Sequence, residues 1–179
     1  MSYSMEDTLN VARQAARDIE RWLRGQQETI EVQNVEGSAE YRREDVDLLW
    51  TVGYPAADER VLKVEVKGDR LHKTGNFFFE TVSNKGKGTP GCFMYTAADY
   101  IFYYFVVPQT LHILPTLATR AWFIENLDRF AKRETTTPVG GGRRYVTVGR
   151  LVPIVNVHAE VPGTCVVDIG EGDTTGDAS

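Results

Sequence analysis

The chain has 179 residues, 42% of them hydrophobic and 25% charged, with a formal net charge of −5, values that are typical of one soluble globular domain. The longest apolar run, residues 100–108, is too short to cross a bilayer, and the N-terminus lacks the basic-then-apolar order of a secretory signal. Two distant cysteines, Cys92 and Cys165, form neither a metal-binding spacing nor a disulfide framework, so we expect a reduced, cytoplasmic protein.

The first half of the chain predicts one helix followed by three strands. Apolar residues recur at helical spacing over residues 5–24, and Gly25 follows them as a C-terminal cap. Residues 29–35 alternate weakly and predict a strand. Residues 45–52 and 60–68 alternate more clearly and predict two further strands that are joined by a turn.

The middle of the chain predicts further strands. Residues 77–82 are either a short strand or an extended segment that leads into a loop rich in lysine and glycine. Residues 101–107 are β-branched and aromatic, which favours a buried strand, and residues 111–114 indicate another short strand.

The remaining elements are a helix, a linker and edge strands. The helix is predicted over residues 116–132, and a linker of Thr, Pro and Gly over residues 135–142. Residues 145–157 predict one or two edge strands that are broken by Pro153. Residues 171–179 have an acidic, polar composition that predicts a disordered tail.

The acids of two predicted strands indicate the chemistry. Because side chains alternate faces along a strand, Glu65 and Lys67 project together, and Asp45 and Asp47 share a face by the same rule. If the strands lie side by side, Asp47 and Glu65 can bind one Mg²⁺, which prefers oxygen ligands and leaves positions for water and phosphate. The pattern therefore predicts a metal-dependent phosphodiesterase in which Lys67 positions the attacking water and Asp45 is the alternate metal ligand.

The segments that follow extend this pattern in a fixed order. Asp45-Val46-Asp47 and Val64-Glu65-Val66-Lys67 precede Thr74-Gly75-Asn76-Phe77-Phe78-Phe79-Glu80, a glycine- and lysine-rich loop, and Ala98-Asp99-Tyr100. This combination resembles the PD-(D/E)xK nuclease superfamily, and within it the phage endonucleases and Holliday-junction-resolvase-like proteins. The proline that precedes the aspartate in the name of the superfamily is absent, and both Asp45 and Asp47 stay open as the ligand.

The resemblance implies a fold, an activity and a cofactor. The fold is an α/β restriction-endonuclease-like core, with a mixed central sheet flanked by helices, in a single nuclease-like domain over residues 1–170. The activity is cleavage of DNA, branched or of phage or prophage origin, with Mg²⁺ or Mn²⁺ as cofactor, in a bacterial or phage-encoded cytoplasmic protein. Junction-resolving enzymes further imply a homodimer, because two symmetric sites cut two strands. Residues 100–107 and the predicted helix around Trp122 are the surfaces that would be examined for it.

DNA is the expected partner although the net charge is negative. Positive charge is local, at lysines and an arginine that surround the predicted site: Lys63, Lys67, Arg70, Lys73, Lys85 and Lys87. A flexible loop with glycine and lysine lets backbone and charge approach phosphates closely. The residues expected to bind DNA are Lys73, Asn76, Lys85 and Lys87.

Three further residues have a functional and a structural interpretation. His72 either protonates the leaving group, or it is a loop residue that contacts a phosphate or makes no contact at all. Glu80 either extends the metal shell or pairs with Lys85. Glu20 either supplies the first-helix acid that reaches the metal in many members of the superfamily or lies on a solvated helix face. For the whole chain, the alternatives are a nuclease-fold DNA-binding or phage accessory protein that has lost cutting, and an unrelated α/β protein.

Overall fold

The computed structural model describes residues 5–53, 58–138 and 144–170. In chain order the elements are α1 (Met5–Arg24), β1 (Thr29–Asn34), α2 (Ala39–Glu44), β2 (Leu48–Val52), β3 (Arg60–Asp69), β4 (Asn76–Asn84), β5 (Thr89–Pro90), α3 (Cys92–Tyr95), β6 (Tyr100–Phe105), β7 (Thr110–Pro115), α4 (Thr116–Glu125), β8 (Ala131–Pro138), β9 (Arg144–Pro153), α5 (Ile154–Glu160) and β10 (Cys165–Asp168). None of the described helices is long and apolar enough to span a membrane.

The larger sheet has six strands in the order β1-β2-β3-β6-β7-β10. The pair β3 and β6 is parallel, and the other neighbours are antiparallel. The sheet is therefore mixed, and helices pack on it, which confirms the α/β class and the mixed central sheet expected from the sequence. The strands predicted over residues 29–35, 60–68, 101–107 and 111–114 are present with small changes in their ends.

The predicted first helix is confirmed as α1, and it covers one face of this sheet. Its apolar stripe, Ala15, Ile19 and Leu23, has no solvent exposure and packs with Val64 of β3 in one hydrophobic core. A Cβ atom on Gly68 would lie 2.8 Å from the Cβ of Ala15, so glycine is what allows the helix to approach β3 this closely. The side chains of Glu65 and Lys67 alternate with Val64 and lie on the opposite face.

A second core, rich in aromatic rings, fills that opposite face. It joins the six-stranded sheet to a four-stranded sheet of order β5-β4-β9-β8. The rings of Phe79 from β4 and Phe93 from α3 stack with centroids 3.8 Å apart, and Phe77 packs on Tyr103 of β6 at 4.7 Å. Buried aromatic side chains contribute large apolar areas, so this core is a main source of stability.

A buried tyrosine joins the two sheets by hydrogen bonds. The Tyr103 hydroxyl donates to the Asp69 carboxylate at 2.6 Å and accepts from the backbone N–H of Phe78 at 3.1 Å. Asp69 ends β3, and Phe78 belongs to β4 of the other sheet. The position of the second sheet is thereby set relative to the strand that carries Glu65 and Lys67.

The helix predicted over residues 116–132 is too long. Helix α4 ends at Glu125, one 3₁₀ turn covers Leu127–Arg129, and β8 begins at Ala131. The predicted linker over residues 135–142 is also wrong as far as Pro138, because its three threonines belong to β8, where β-branched side chains fit a pleated strand. Residues 139–143 lie outside the described residues.

The prediction of edge strands over residues 145–157 is wrong in two respects. Strand β9 is an inner strand, since it pairs with β4 on one side and β8 on the other. After Pro153 the chain forms α5, because proline has no N–H to donate to a strand but fits well just before the first turn of a helix. The predicted tail over residues 171–179 lies outside the described residues.

Of the two surfaces named for a homodimer, the one on β6 is largely internal. Residues 101–106 are buried, and β6 lies between β3 and β7. On α4, the Trp122 ring packs on Phe130 and its Nε1–H donates to Glu160 at 2.9 Å. The other side of α4 exposes Leu117 and Ile124, so the homodimer stays a prediction.

Replacing Gly91 by alanine is predicted to destabilise the protein by about 1 to 3 kcal/mol, the usual cost of overpacking. A Cβ at position 91 would overlap the backbone carbonyl of Glu80, so α3 would have to move away from β4. Gly86→Ala, in the same loop, meets nothing closer than 3.5 Å and should change stability by less than about 0.5 kcal/mol. Chemical denaturation of both variants tests this, and equal stabilities would contradict the close approach.

Candidate active site

Antiparallel pairing of β2 and β3 places two acids side by side. Leu48 pairs with Val64, and the N–H of Asp47 donates to the carbonyl of Val64 at 2.9 Å, so the ladder extends to Asp47. One carboxylate oxygen of Asp47 accepts the N–H of Val66 at 2.8 Å. The carboxyl groups of Asp47 and Glu65 lie within hydrogen-bonding reach of each other.

The Glu65 carboxyl group is at the base of the site, and only 4% of the residue is exposed. Burial raises the pKa of Glu65 well above its usual value, and the negative charges of Asp47 and Asp45 raise it further, against the lowering effect of Lys67. The pKa of Asp47 is also raised, chiefly by burial. Of these two acids, Glu65 has the more strongly raised pKa.

Lys67 lies two residues further along the same face of β3. Its Nζ is 3.6 Å from a Glu65 carboxylate oxygen, and its side chain is 28% exposed. Burial lowers the pKa of Lys67, but electrostatic interaction with the surrounding ionisable groups, Cys92, Glu80, Glu65 and Asp45, outweighs this and raises it well above its usual value. Lys67 is accordingly an ammonium ion across the physiological pH range.

Asp45 reaches the same cluster from a different element than the sequence predicted. The predicted strand over residues 45–52 starts only at Leu48, and Asp45 caps the C-terminus of α2 in a left-handed conformation with φ 55° and ψ 57°. Its Oδ2 atom is buried and has no hydrogen-bond partner. Burial raises the pKa of Asp45, against the lowering effects of Lys67 and of a hydrogen bond from Tyr95.

Sequence analysis missed two members of the cluster, Cys92 and Tyr95, both on the short helix α3. One ligand atom each of Asp45, Glu65 and Cys92 lies within 4.8 Å of the other two. The spacing between the two cysteines could not indicate this cluster, because Cys92 meets carboxylates from other elements and not the other cysteine. Burial raises the pKa of the Cys92 thiol far above its usual value.

Arg120 of α4 fixes the position of α3. Its Nε donates to the carbonyl of Phe93 at 2.8 Å, and its Nη2 donates to the carbonyl of Thr96 at 2.6 Å. The Thr96 hydroxyl in turn donates to the carbonyl of Asp45 at 2.7 Å. This chain of hydrogen bonds joins α4, α3 and the end of α2, so the positions of Cys92 and Asp45 are coupled.

Of the three additional residues, Glu80 alone lies near the acids. Its negative charge raises the pKa values of Asp45, Lys67 and Cys92, which places its carboxylate beside the cluster. Glu20 pairs with Arg24 on α1, which covers the other face of the sheet, so the interpretation of Glu20 as a metal-shell acid is wrong. His72 accepts or donates a hydrogen bond at 3.2 Å to the Arg70 carbonyl, in a turn beyond the end of β3.

The residues expected to bind DNA lie outside the acid cluster. Lys73 and Lys87 are exposed. Asn76 donates its side-chain N–H to the Thr74 carbonyl at 2.7 Å, which closes the turn before β4. Lys85 forms a 2.7 Å ion pair with Glu134 of β8 rather than with Glu80.

The donor set fits a divalent cation. Metal–oxygen and metal–sulfur bonds of about 2.0 to 2.3 Å put ligands of one ion at most about 4.6 Å apart. The three ligand atoms, which lie within 4.8 Å of one another, are close to this limit. Four carboxyl groups, those of Asp45, Asp47, Glu65 and Glu80, surround one ammonium group, which leaves negative charge for a cation to balance. The orphan oxygen of Asp45 is a free acceptor that a cation would engage.

Glu65→Gln is predicted to make the metal-free protein more stable at pH 8 than the unmodified chain. A raised native pKa means that the native state binds the proton more tightly than the unfolded state, so stability falls as the pH rises above 4.5, the ordinary value for glutamate. Glutamine resembles the protonated acid and removes this loss. The free energy of unfolding of Glu65→Gln should therefore exceed that of the unmodified chain at pH 8 in EDTA. The two values should converge at pH 4.

The matched control is Glu44→Gln, which removes an acid that pairs with Lys63 at the surface. It should change the free energy of unfolding by no more than about 1 kcal/mol. Mg²⁺ or Mn²⁺ at pH 8 should stabilise the unmodified protein and not Glu65→Gln. A Glu65→Gln variant that is less stable at pH 8 would show that Glu65 is ionised and well paired.

Comparison of the chain with family models, with curated proteins and with solved structures finds no match in any of the three.

Proposed function

We propose that this chain is a metal-dependent nuclease of the PD-(D/E)xK type that hydrolyses phosphodiester bonds in DNA. The observation that carries the proposal is the alignment of Asp47 beside Glu65 across β2 and β3, with the Lys67 ammonium 3.6 Å from Glu65. The mixed sheet with α1 on one face supports the restriction-endonuclease-like core that the sequence resemblance implies.

Each residue has a distinct role in this reaction. Asp47, Glu65 and Asp45 hold Mg²⁺ or Mn²⁺, and such an ion polarises the phosphate and lowers the pKa of a water molecule. Lys67 stays protonated and offers its N–H donors to the attacking water and to the negative charge that develops on phosphorus. Its fixed position beside Glu65 means that little reorganisation is needed during the reaction.

The exposed side chains beside the acids indicate how a phosphate reaches them. Glu65 is almost fully buried, whereas the Lys67 side chain is 28% exposed and Tyr95 is 41% exposed. Two exposed arginines, Arg42 and Arg43, stand in the last turn of α2 just before Asp45. The scissile phosphate therefore approaches from the side of Lys67 and Tyr95, with basic side chains near the rim to bind the flanking phosphates.

Lys67→Ala is predicted to lower the cleavage rate at saturating DNA by about a hundredfold or more, because it removes charge that acts on the transition state. Binding of Mn²⁺ should persist, since the carboxylates remain. The control is Lys63→Ala, which lies on the same face of β3 but pairs with Glu44 outside the cluster, and which should cleave at nearly the unmodified rate. Single-turnover cleavage and Mn²⁺ titration together make the test.

Glu65→Ala should lose both Mn²⁺ binding and cleavage. The assay needs a panel of linear, nicked, four-way and single-stranded DNAs, so that an unknown preference for DNA structure does not hide activity. If Lys67→Ala cuts every substrate as fast as the unmodified chain, the chemistry resides elsewhere. If the unmodified chain cuts none of them with either metal, the proposed function fails.

Lys87→Ala is predicted to weaken DNA binding without changing which DNA is cut, because the exposed lysine contacts phosphate rather than bases. The log–log dependence of affinity on salt should become shallower by roughly one unit. Lys85→Ala should have a smaller effect, since Glu134 already neutralises that ammonium. Salt titrations of DNA affinity for both variants test the difference, and an unchanged slope in Lys87→Ala would remove the loop from the DNA interface.

A further inference from the structure

The thiol of Cys92 is placed among charged groups although its helix belongs to the aromatic core. Its sulfur, one oxygen of Asp45 and one oxygen of Glu65 all lie within 4.8 Å of one another. The residue is 5% exposed. A buried thiol beside two carboxyl groups and the Lys67 ammonium is in a charged environment, whereas a cysteine that only fills space is usually surrounded by apolar side chains.

A second observation at the same point is independent of the cysteine. The Oδ2 atom of Asp45 is buried and accepts no hydrogen bond, whereas buried carboxylate oxygens are normally satisfied. The backbone of Asp45 is held by α2 on one side and by the Thr96 hydroxyl on the other, so this oxygen is fixed in place. An acceptor that is withdrawn from water and unpaired is matched by a cation at that position.

Chemistry then selects the class of cation. Thiolate sulfur favours Zn²⁺ and related transition metals, whereas Mg²⁺ is bound by oxygen ligands. A zinc–sulfur bond of about 2.3 Å and zinc–oxygen bonds of about 2.0 to 2.2 Å put the ligand atoms of one ion up to about 4.5 Å apart. The three atoms, which lie within 4.8 Å of one another, are close to that spacing. Coordination positions that the protein does not fill stay open for water or phosphate, as in catalytic zinc sites.

We propose that Asp45, Glu65 and Cys92 form a mixed carboxylate–thiolate site for a divalent transition metal of the Zn²⁺ and Co²⁺ class. On binding, the S–H bond of Cys92 breaks, its proton leaves to solvent, and the sulfur lone pair forms the bond to the metal, with no change of oxidation state. The inference rests on the proposed function for the location of the site and deepens it, because it assigns the class of metal. Asp47 and Lys67 then remain beside the ion for substrate and water.

The experiment is a Co²⁺ titration of the reduced, metal-stripped full chain, followed by near-ultraviolet absorption. A cobalt–thiolate bond gives a charge-transfer band that carboxylates alone do not give. The chain has two cysteines, so two variants assign the band completely. Cys92→Ser should abolish it and weaken Co²⁺ binding at least about tenfold, whereas the control Cys165→Ser, which removes an exposed thiol on β10, should retain it.

A second variant tests the site even if the Cys92→Ser protein does not fold. Asp45→Asn keeps both cysteines and tolerates the left-handed backbone, and it should weaken Co²⁺ binding at least about tenfold while the band stays at saturation. Zn²⁺ should displace Co²⁺ at equal concentration, and a large excess of Mg²⁺ should not. These readouts do not depend on cleavage of DNA.

Two outcomes overturn the inference. One is a Co²⁺ complex of the unmodified chain with no charge-transfer band, or no complex at all. The other is a band that survives Cys92→Ser and disappears in Cys165→Ser. If the band is absent while Mg²⁺ supports DNA cleavage, the inference fails and the proposed nuclease stands. If the band is present and no DNA is cut with any metal, the metal site stands and the proposed nuclease fails.

Discussion

A carboxyl group that is removed from water must meet a proton, a cation or hydrogen-bond donors, and Glu65 imposes this requirement at the centre of the molecule. It lies on an inner strand with other acids around it and with Lys67 as the nearby positive charge. Apolar packing around Glu65 does not satisfy this requirement of its carboxyl group. The surrounding elements form the framework that keeps this carboxyl group in place although its burial costs free energy.

That framework acts through the alternation of β3. Val64 faces the core under α1, and Glu65 faces the other side of the same sheet, so one strand belongs to two environments at once. Pairing with β2 on one edge and β6 on the other leaves the strand little freedom to shift its register. The aromatic core, which includes residues of β4 and α3, then packs on the side of the sheet that carries Glu65. Stability and site geometry therefore depend on the same packing.

Much of the first two thirds of the fold follows from local patterns in the sequence. The helical spacing in α1 is a strong signal because the helix has one exposed and one buried face. The alternation in β3 is strong because the two faces of the strand lie in two different environments. Alternation also predicts that Glu65 and Lys67 share a face, as the 3.6 Å contact shows. Such inferences need only neighbours along the chain.

The later elements and part of the site depend on contacts that local patterns do not contain. Pro153 led to the prediction of edge strands in this segment, yet β8 and β4 cover both edges of β9. Cys92 enters the acid cluster only because α3 is held by Arg120, which lies 28 residues further along the chain. Asp45 carries a strand-like pattern and still becomes a helix cap. Each of these outcomes is decided by tertiary packing over local preference.

The left-handed backbone of Asp45 has an evolutionary consequence. At φ 55° the side chains that fit without strain are those of glycine, asparagine and aspartate, so natural variation at this position is confined to a narrow set. Asparagine is one nucleotide change away from aspartate and keeps the shape of the cap while giving up the charge. If the proposed metal site is correct, a lineage that loses metal binding has a short path that preserves the fold, and asparagine at this position is the substitution expected in such a descendant.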